Sequence, residues 1–361
     1  MKRLILSDIH FGTKNISSLK AMISNFLLEN EDELKDLDYL IISGDYHDGL
    51  LEYNSTDAIE SMETLFIISN FCITHDIKFR VLEGTDSHDR KQLEMFSKLV
   101  KQERTLQGLD FIYITDITIL HETDHTCLYI PDNIRDNIIQ TSMDALELVR
   151  ELPTGKVDQC IMHGAFKHSL GFGDETTLFD EKFMLNLCSG FIVAGHIHTH
   201  QVFSRILTPG SFTRLKFGQE EDKGALLLDG ESFRFIINNH TDIFYTIKVF
   251  STTPDEFFME VVPKLISLPV GANVKIVASH DNLIFTDINR EALREDLRIL
   301  FEYDKKKEDD SFIDEDDDIF NLDIVDNQLR LDANIIAKYV EKNINTIDGI
   351  QINDVLKEIG V

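Results

Sequence analysis

Five short clusters of histidine and aspartate carry the chemistry in this chain. They are Asp8-Ile9-His10, Gly44-Asp45-Tyr46-His47-Asp48, Gly84-Thr85-Asp86-Ser87-His88-Asp89, His163-Gly164 and Gly195-His196-Ile197-His198. Side chains alternate along an extended backbone, so Asp8 and His10 point the same way and can reach one metal ion, and His196 and His198 are again two apart. A carboxylate such as Asp45 can bridge two cations, and the glycine before it relieves crowding where the chain turns. Taken singly, each cluster is an ordinary polar turn. Taken together they are not, because each follows a short apolar run that suits a buried strand, and ligands of open α/β sheets sit at that strand end.

The elements that must position them alternate between strands and helices. Arg3–Ser7, Asp38–Ser43 and Lys78–Leu82 are expected strands, separated by amphipathic stretches over Ser17–Leu34 and Thr56–Asn70. This alternation implies an α/β sheet with buried parallel strands. Asp158–Met162 and Phe191–Ala194 add two strands, and Ala225–Asp229 and Phe233–Ile237 flank Gly230 as a hairpin. After about Asn239 the texture changes. A strand over Tyr245–Phe250, a helix over Asp255–Ile266, strands over Asn273–Ala278 and Leu283–Thr286 and a helix from Arg290 make a small α+β unit. The expected organisation is 1–245 for the metal-bearing domain, 246–303 for a cap-like unit, 304–329 for an acidic linker and 330–361 for C-terminal helices, with apolar spacing over Ala333–Asn343 and Ile352–Ile359.

Composition narrows the function classes. The net charge of −29 argues against a protein that coats nucleic acid unaided, and 17 acidic against 7 basic residues from Phe301 onward account for only part of it. Any grip on a nucleic acid then needs a local basic strip or a partner that supplies one. No run reaches the roughly 20 apolar residues of a membrane helix, and Asp8 interrupts the first apolar run too early for a signal peptide. Cys72, Cys127, Cys160 and Cys188 lack CxxC spacing, which fits reduced thiols and a cytoplasmic location.

In order and spacing, the five clusters resemble the calcineurin-like metallophosphoesterase superfamily, with its pattern DxH, GDxxD, GNHD, H and GHxH. The resemblance spans about residues 1–240. It implies a four-layer α/β sandwich of two stacked mixed sheets flanked by helices. It also implies that Asp8, His10, Asp45 and His198 hold one metal and that Asp45, His163 and His196 hold a second. His88 is then the acid that protonates the leaving oxygen. Mixed nitrogen and oxygen ligands suit Mn²⁺, Fe or Zn²⁺ better than Ca²⁺, and Mn²⁺ is the expected ion at both sites. The chain departs from the pattern at GNHD, which has become Gly84-Thr85-Asp86-Ser87-His88-Asp89; either Asp86 or Ser87 takes the coordination position of the family's Asn. His47 or Asp48 is expected to orient the substrate, and His200 to be a bystander.

The superfamily does not specify a substrate. The stretch Pro209-Gly210-Ser211, Phe217-Gly218 and Lys223-Gly224 before an apolar strand resembles SbcD-type nuclease subunits of double-strand-break repair complexes. What that implies is a small α+β capping domain after the sandwich, then C-terminal helices that dock on an SMC-like (SbcC-type) ATPase. The activity it implies is that of a metal-dependent DNA exonuclease/endonuclease acting in repair or recombination, with a homodimer as a further assembly. The alternatives are a small-substrate phosphodiesterase or phosphatase on the same fold, or a scaffold with a weakened centre.

Overall fold

The computed structural model describes residues 1–13, 16, 18–122, 125–132, 138–169, 178–279, 284–287 and 293–303. The expected linker and C-terminal helices, 304–361, lie outside the described residues. Four strands open the chain: β1 (Lys2–Leu6), β2 (Tyr39–Ser43), β3 (Lys78–Leu82) and β4 (Phe111–Ile114). Six follow: β5 (Thr118–Glu122), β6 (His125–Ile130), β7 (Gln159–His163), β8 (Ile192–Gly195), β9 (Gln201–Phe203) and β10 (Ile206–Thr208). The hairpin β11 (Gly224–Asp229) and β12 (Ser232–Ile237) then returns to the first sheet. One six-stranded sheet has the order β12-β11-β1-β2-β3-β4 and the other β5-β6-β7-β8-β10-β9. Both are mixed: β1 to β4 run parallel, as do β6, β7, β8 and β10, while β11 pairs antiparallel with β1 and β12, β5 with β6, and β9 with β10.

Period-2 alternation sorts the apolar residues into layers. In β1 and β2, Ile5, Tyr39 and Ile41 face inward to meet Ile161, Val193 and Leu207 of the second sheet. Their neighbours Leu4, Leu6, Leu40 and Ile42 face outward against α1 (Leu19–Glu29) and α3 (Thr56–Thr74). The expected helix over 17–34 is broken at Asn30, whose amide caps α1, and continues as α2 (Glu31–Leu34). With α4 (Glu94–Gln102) on the first sheet and α5 (Ile138–Arg150) and α6 (Glu181–Leu187) on the second, the result is the expected α/β sandwich of four layers, helix–sheet–sheet–helix. The four cysteines are buried thiols. Among the described residues, no helix is long and apolar enough to cross a membrane.

The last described part is a three-stranded parallel sheet of β13 (Phe244–Val249), β14 (Asn273–Ala278) and β15 (Arg298–Tyr303). It is covered on one face by α7 (Pro254–Ile266) and α8 (Ile284–Asp287). Here the reading of Leu283–Thr286 as a strand is corrected. Ile284–Asp287 is a helical turn whose Ile284 and Phe285 fill the core beneath α7, and the third strand is β15 instead. A short apolar run carries no periodicity that separates strand from helix. The expected helix from Arg290 begins outside the described residues; Arg298–Tyr303, which follows it, is extended. Phe217 packs edge-on against Phe244, with Lys275 over its ring, where this sheet meets the sandwich.

Candidate metal centre

The five clusters meet at one edge of the sandwich, each at the C-terminal end of a strand. Beyond β1 and β2 the two loops stay paired, with Ile9 and His10 donating their N–H groups to the Asp45 carbonyl and Phe11 donating to that of Tyr46. This pairing forces unusual backbone. Among the described residues eight non-glycine positions have positive φ, and four of them are Asp8, His10, Asp45 and His196. Such conformations cost of order 1–3 kcal/mol each and persist where the surroundings over-determine them, as they do at functional sites. Two glycines permit the close approach. A Cβ on Gly44 would sit 2.2 Å from His163 Nδ1, and one on Gly195 would sit 2.4 Å from both Ser43 O and Ser7 Oγ.

Three groups of side chains bring ligand atoms within 4.8 Å of one another: Asp8, His10 and His198; His10, Asp45 and His88; and Asp45, His163 and His196. Asp8, His10, Asp45 and His163 are buried, while His88, His196 and His198 are partly open. The two sheets are tied together inside the centre by the His196 N–H, which donates to both Asp8 carboxylate oxygens at 3.1 Å.

The second ring nitrogen of each imidazole decides what the first can do. His10 Nδ1 donates to Asp48 Oδ1 at 2.9 Å, which leaves an unprotonated Nε2 facing His198 Nε2 at 3.2 Å and Asp45 Oδ2 at 3.9 Å. His163 Nδ1 donates to the Ser43 carbonyl at 2.7 Å, and its fully buried Nε2 faces Asp45 Oδ2 at 3.2 Å. At 3.2 Å the His10 and His198 Nε2 atoms share one proton as a hydrogen bond in the metal-free protein, and a cation can take the place of that proton. The donor set, neutral imidazoles with carboxylates, is that of a divalent transition-metal site, so these residues fit metal ions.

The electrostatics without metal agree with this. Burial disfavours the His163 imidazolium, but the Asp45 carboxylate outweighs it and lifts the pKa to about 10. Burial likewise opposes ionisation of Asp45, and His163, His88 and His10 outweigh it, holding that carboxyl well below the usual carboxylate range. His198 falls to about 4, chiefly through burial, with His10 and Lys223 adding to the effect. His88, whose Nδ1 meets Asp45 Oδ2 at 3.0 Å, is raised by that hydrogen bond.

The other named positions separate clearly. Asp86 and Ser87 are exposed, and Asp86 belongs to none of the three groups. Thr85, which sequence reasoning passed over, donates its N–H to Asp45 Oδ1 at 2.7 Å, and its Oγ1 lies 3.2 Å from Asp45 Oδ2. Its position directly after Gly84 was the available signal. His47 is buried with Nε2 on Ser61 and outside the three groups, whereas Asp48 orients His10. His200 bonds the Thr208 carbonyl and stacks on Phe235, also outside the groups. Asp89 is fully buried and accepts the N–H groups of His47 and Gly84, bracing two of the loops against each other. Behind it Glu83 is pushed up to about 8 by burial and by Asp89.

No family model matches the chain, and no curated protein matches it. A crystal structure superposes on 66% of this chain and 99% of its own, at 12% identity and a TM-score of 0.41. That degree of likeness carries no argument about activity.

Proposed function

We propose that this protein is a two-metal phosphoesterase acting on DNA phosphodiesters. The observation that carries the reading is Asp45, which belongs to two of the three groups and lies between histidines from both sheets. Asp8, His10 and His198 with Asp45 would hold one cation, and Asp45, His163 and His196 the other, with the Thr85 hydroxyl placed to complete the second set. Bound there, divalent cations supply the Lewis acidity that activates water and neutralises phosphoryl charge.

The chain's own residues do the rest. Asp48 and the Ser43 carbonyl fix the tautomers of His10 and His163, so that each presents Nε2 to the centre. His88 is partly open on the solvent side of the centre, which suits it to donate a proton to the departing sugar oxygen. Arg90 and Lys91, exposed just past His88, provide local positive charge for a phosphodiester backbone on an otherwise acidic surface.

The test is hydrolysis of linear DNA by the full chain with added Mn²⁺, set against a chromogenic phosphodiester, with ions counted by elemental analysis. DNA cleavage is expected, with two ions per chain; Asp45→Ala should abolish it and remove more than one ion. A protein that retains both ions in Asp45→Ala would overturn the bridging role. The strongly acidic surface favours a second reading, a small-substrate phosphodiesterase, and cleavage of the chromogenic diester alone would select it. In the DNA reading, residues 319–361 dock on an SMC-like ATPase, and their deletion should abolish co-purification with such a partner while leaving hydrolysis intact.

A further inference from the structure

The Pro209-Gly210-Ser211 and Lys223-Gly224 motifs contribute no member to the three ligand groups, yet both converge on one atom, the carbonyl oxygen of His198. Lys223 Nζ donates to it at 2.7 Å and the Ser211 N–H at 3.0 Å, while the Ser211 hydroxyl donates to the Thr213 carbonyl at 2.9 Å. Lys223 is 1% exposed along its side chain, and its ammonium also meets Glu221 Oε1 at 2.7 Å. Glu221 in turn receives Thr199 Oγ1, one residue past His198. The next residue after Ser211 reaches the other end of the same ligand group, because the Phe212 N–H donates to Ser7 O and Ser7 Oγ donates to Asp8. Asn238, at the end of β12, closes the frame by donating to the carbonyls of Phe212 and Lys223.

Burying an ammonium is costly unless it is paired, and an apolar side chain of similar length would fill the same space more cheaply. The bracket also sits where a bracket is needed. Asp8 and His10 are held by burial, with side chains 0% and 2% exposed, whereas the His198 side chain is 30% exposed on a loop. We infer that Lys223 is a positioning residue: it pins the His198 main chain through a buried charge-assisted hydrogen bond, and so sets the affinity of the Asp8–His10–His198 ion without touching that ion. Ser211 and Glu221 act with it. This rests on the two-metal reading of the centre.

The experiment is Mn²⁺ titration of the full chain by calorimetry, with the electron paramagnetic resonance signal of the ion pair recorded in parallel. Partners that orient metal ligands typically change metal affinity by about 10–100-fold. Lys223→Met should therefore weaken one of two Mn²⁺ steps at least tenfold, leave the other within twofold and replace the coupled-pair spectrum with that of a single ion. Lys223→Gln, which keeps a donor for the carbonyl, should recover part of the loss. Should Lys223→Met not fold, Glu221→Gln at the surface end of the network should give the same one-site weakening, by about threefold. Two unaltered Mn²⁺ affinities in whichever of these variants folds, with only a lower melting temperature, would overturn the inference. Wild-type protein that takes up fewer than two ions would instead overturn the metal centre on which it rests.

Discussion

Asp48 separates two accounts of the centre that differ in what a single carboxylate touches. Seen in the sequence alone it is a group beside the metal loop that orients substrate; in the structure its Oδ1 receives His10 Nδ1–H at 2.9 Å. Removing it by Asp48→Ala leaves a 2% exposed imidazole without the partner that fixes its tautomer. His10 can then carry its proton on Nε2, where a cation needs a lone pair. Losses of this kind run about 10–100-fold in metal affinity, or roughly 1.4–2.7 kcal/mol. Asp48 is 39% exposed, and water competes for its carboxylate, so the effect belongs near the lower end, about tenfold. Asp48→Asn keeps an oxygen to accept the Nδ1–H and should lose only about twofold to threefold, since the charge-assisted part alone is gone. The assay is Mn²⁺ titration at fixed pH together with steady-state hydrolysis of DNA. Unchanged Mn²⁺ affinity in Asp48→Ala, with a raised KM for DNA, would refute the orienting role and return Asp48 to the substrate.

Three further outcomes follow from the same geometry. His88→Ala should retain its metal ions, lose about 10²-fold or more on DNA, and lose far less on a nitrophenyl diester whose leaving group needs no proton; equal losses on both substrates would make His88 structural. Thr85→Val should raise the Mn²⁺ concentration needed for activity by about tenfold, while Asp86→Ala and Ser87→Ala change it by less than twofold, and the reverse order would hand the position to the exposed residues. His163, at about 10 in the metal-free protein, carries a proton at pH 8, so metal uptake there should release about one proton that is no longer released once the pH passes 10. Calorimetry in two buffers of different ionisation enthalpy measures it, and uptake without proton release at pH 8 would contradict the Asp45–His163 pairing.

Seven of the twelve sandwich strands, β1, β2, β3, β7, β8 and the β11–β12 hairpin, were legible as short apolar runs, whereas β4, β5, β6, β9 and β10 and the helices α4, α5 and α6 were not read from the sequence. Tyr39-Leu40-Ile41-Ile42 between polar residues admits little besides a buried strand, and Thr56–Asn70 has the spacing of a helix with one buried face, which the structure extends to Thr74. The third sheet was harder to read. Leu283–Thr286 has the composition of a strand, yet the place beside β14 is filled by Arg298–Tyr303, whose alternate exposed residues hide the pattern of a covered strand. Tertiary packing decided that choice, and no local preference records it.

The ligand groups were legible for a similar reason, and their supports were not. Asp8 and His10, or His196 and His198, announce themselves because chemistry restricts residue type at those positions and each pair follows a short apolar run, but their directions were not legible, since Asp8, His10 and His196 leave the extended conformation. Ser43, Thr85, Asp89 and Lys223 act through atoms that carry no chemical signature in sequence: a backbone carbonyl, a backbone amide, a carboxylate turned inward, an ammonium turned inward. Only the register of neighbouring loops makes them visible, and that register exists because β1, β2, β7 and β8 end at the same edge. The left-handed backbone at Asp8, His10, Asp45 and His196 then has a physical explanation. These ligands sit one to four residues past the ends of β1, β2 and β8, and the buried supports hold a conformation that the chain would otherwise relax.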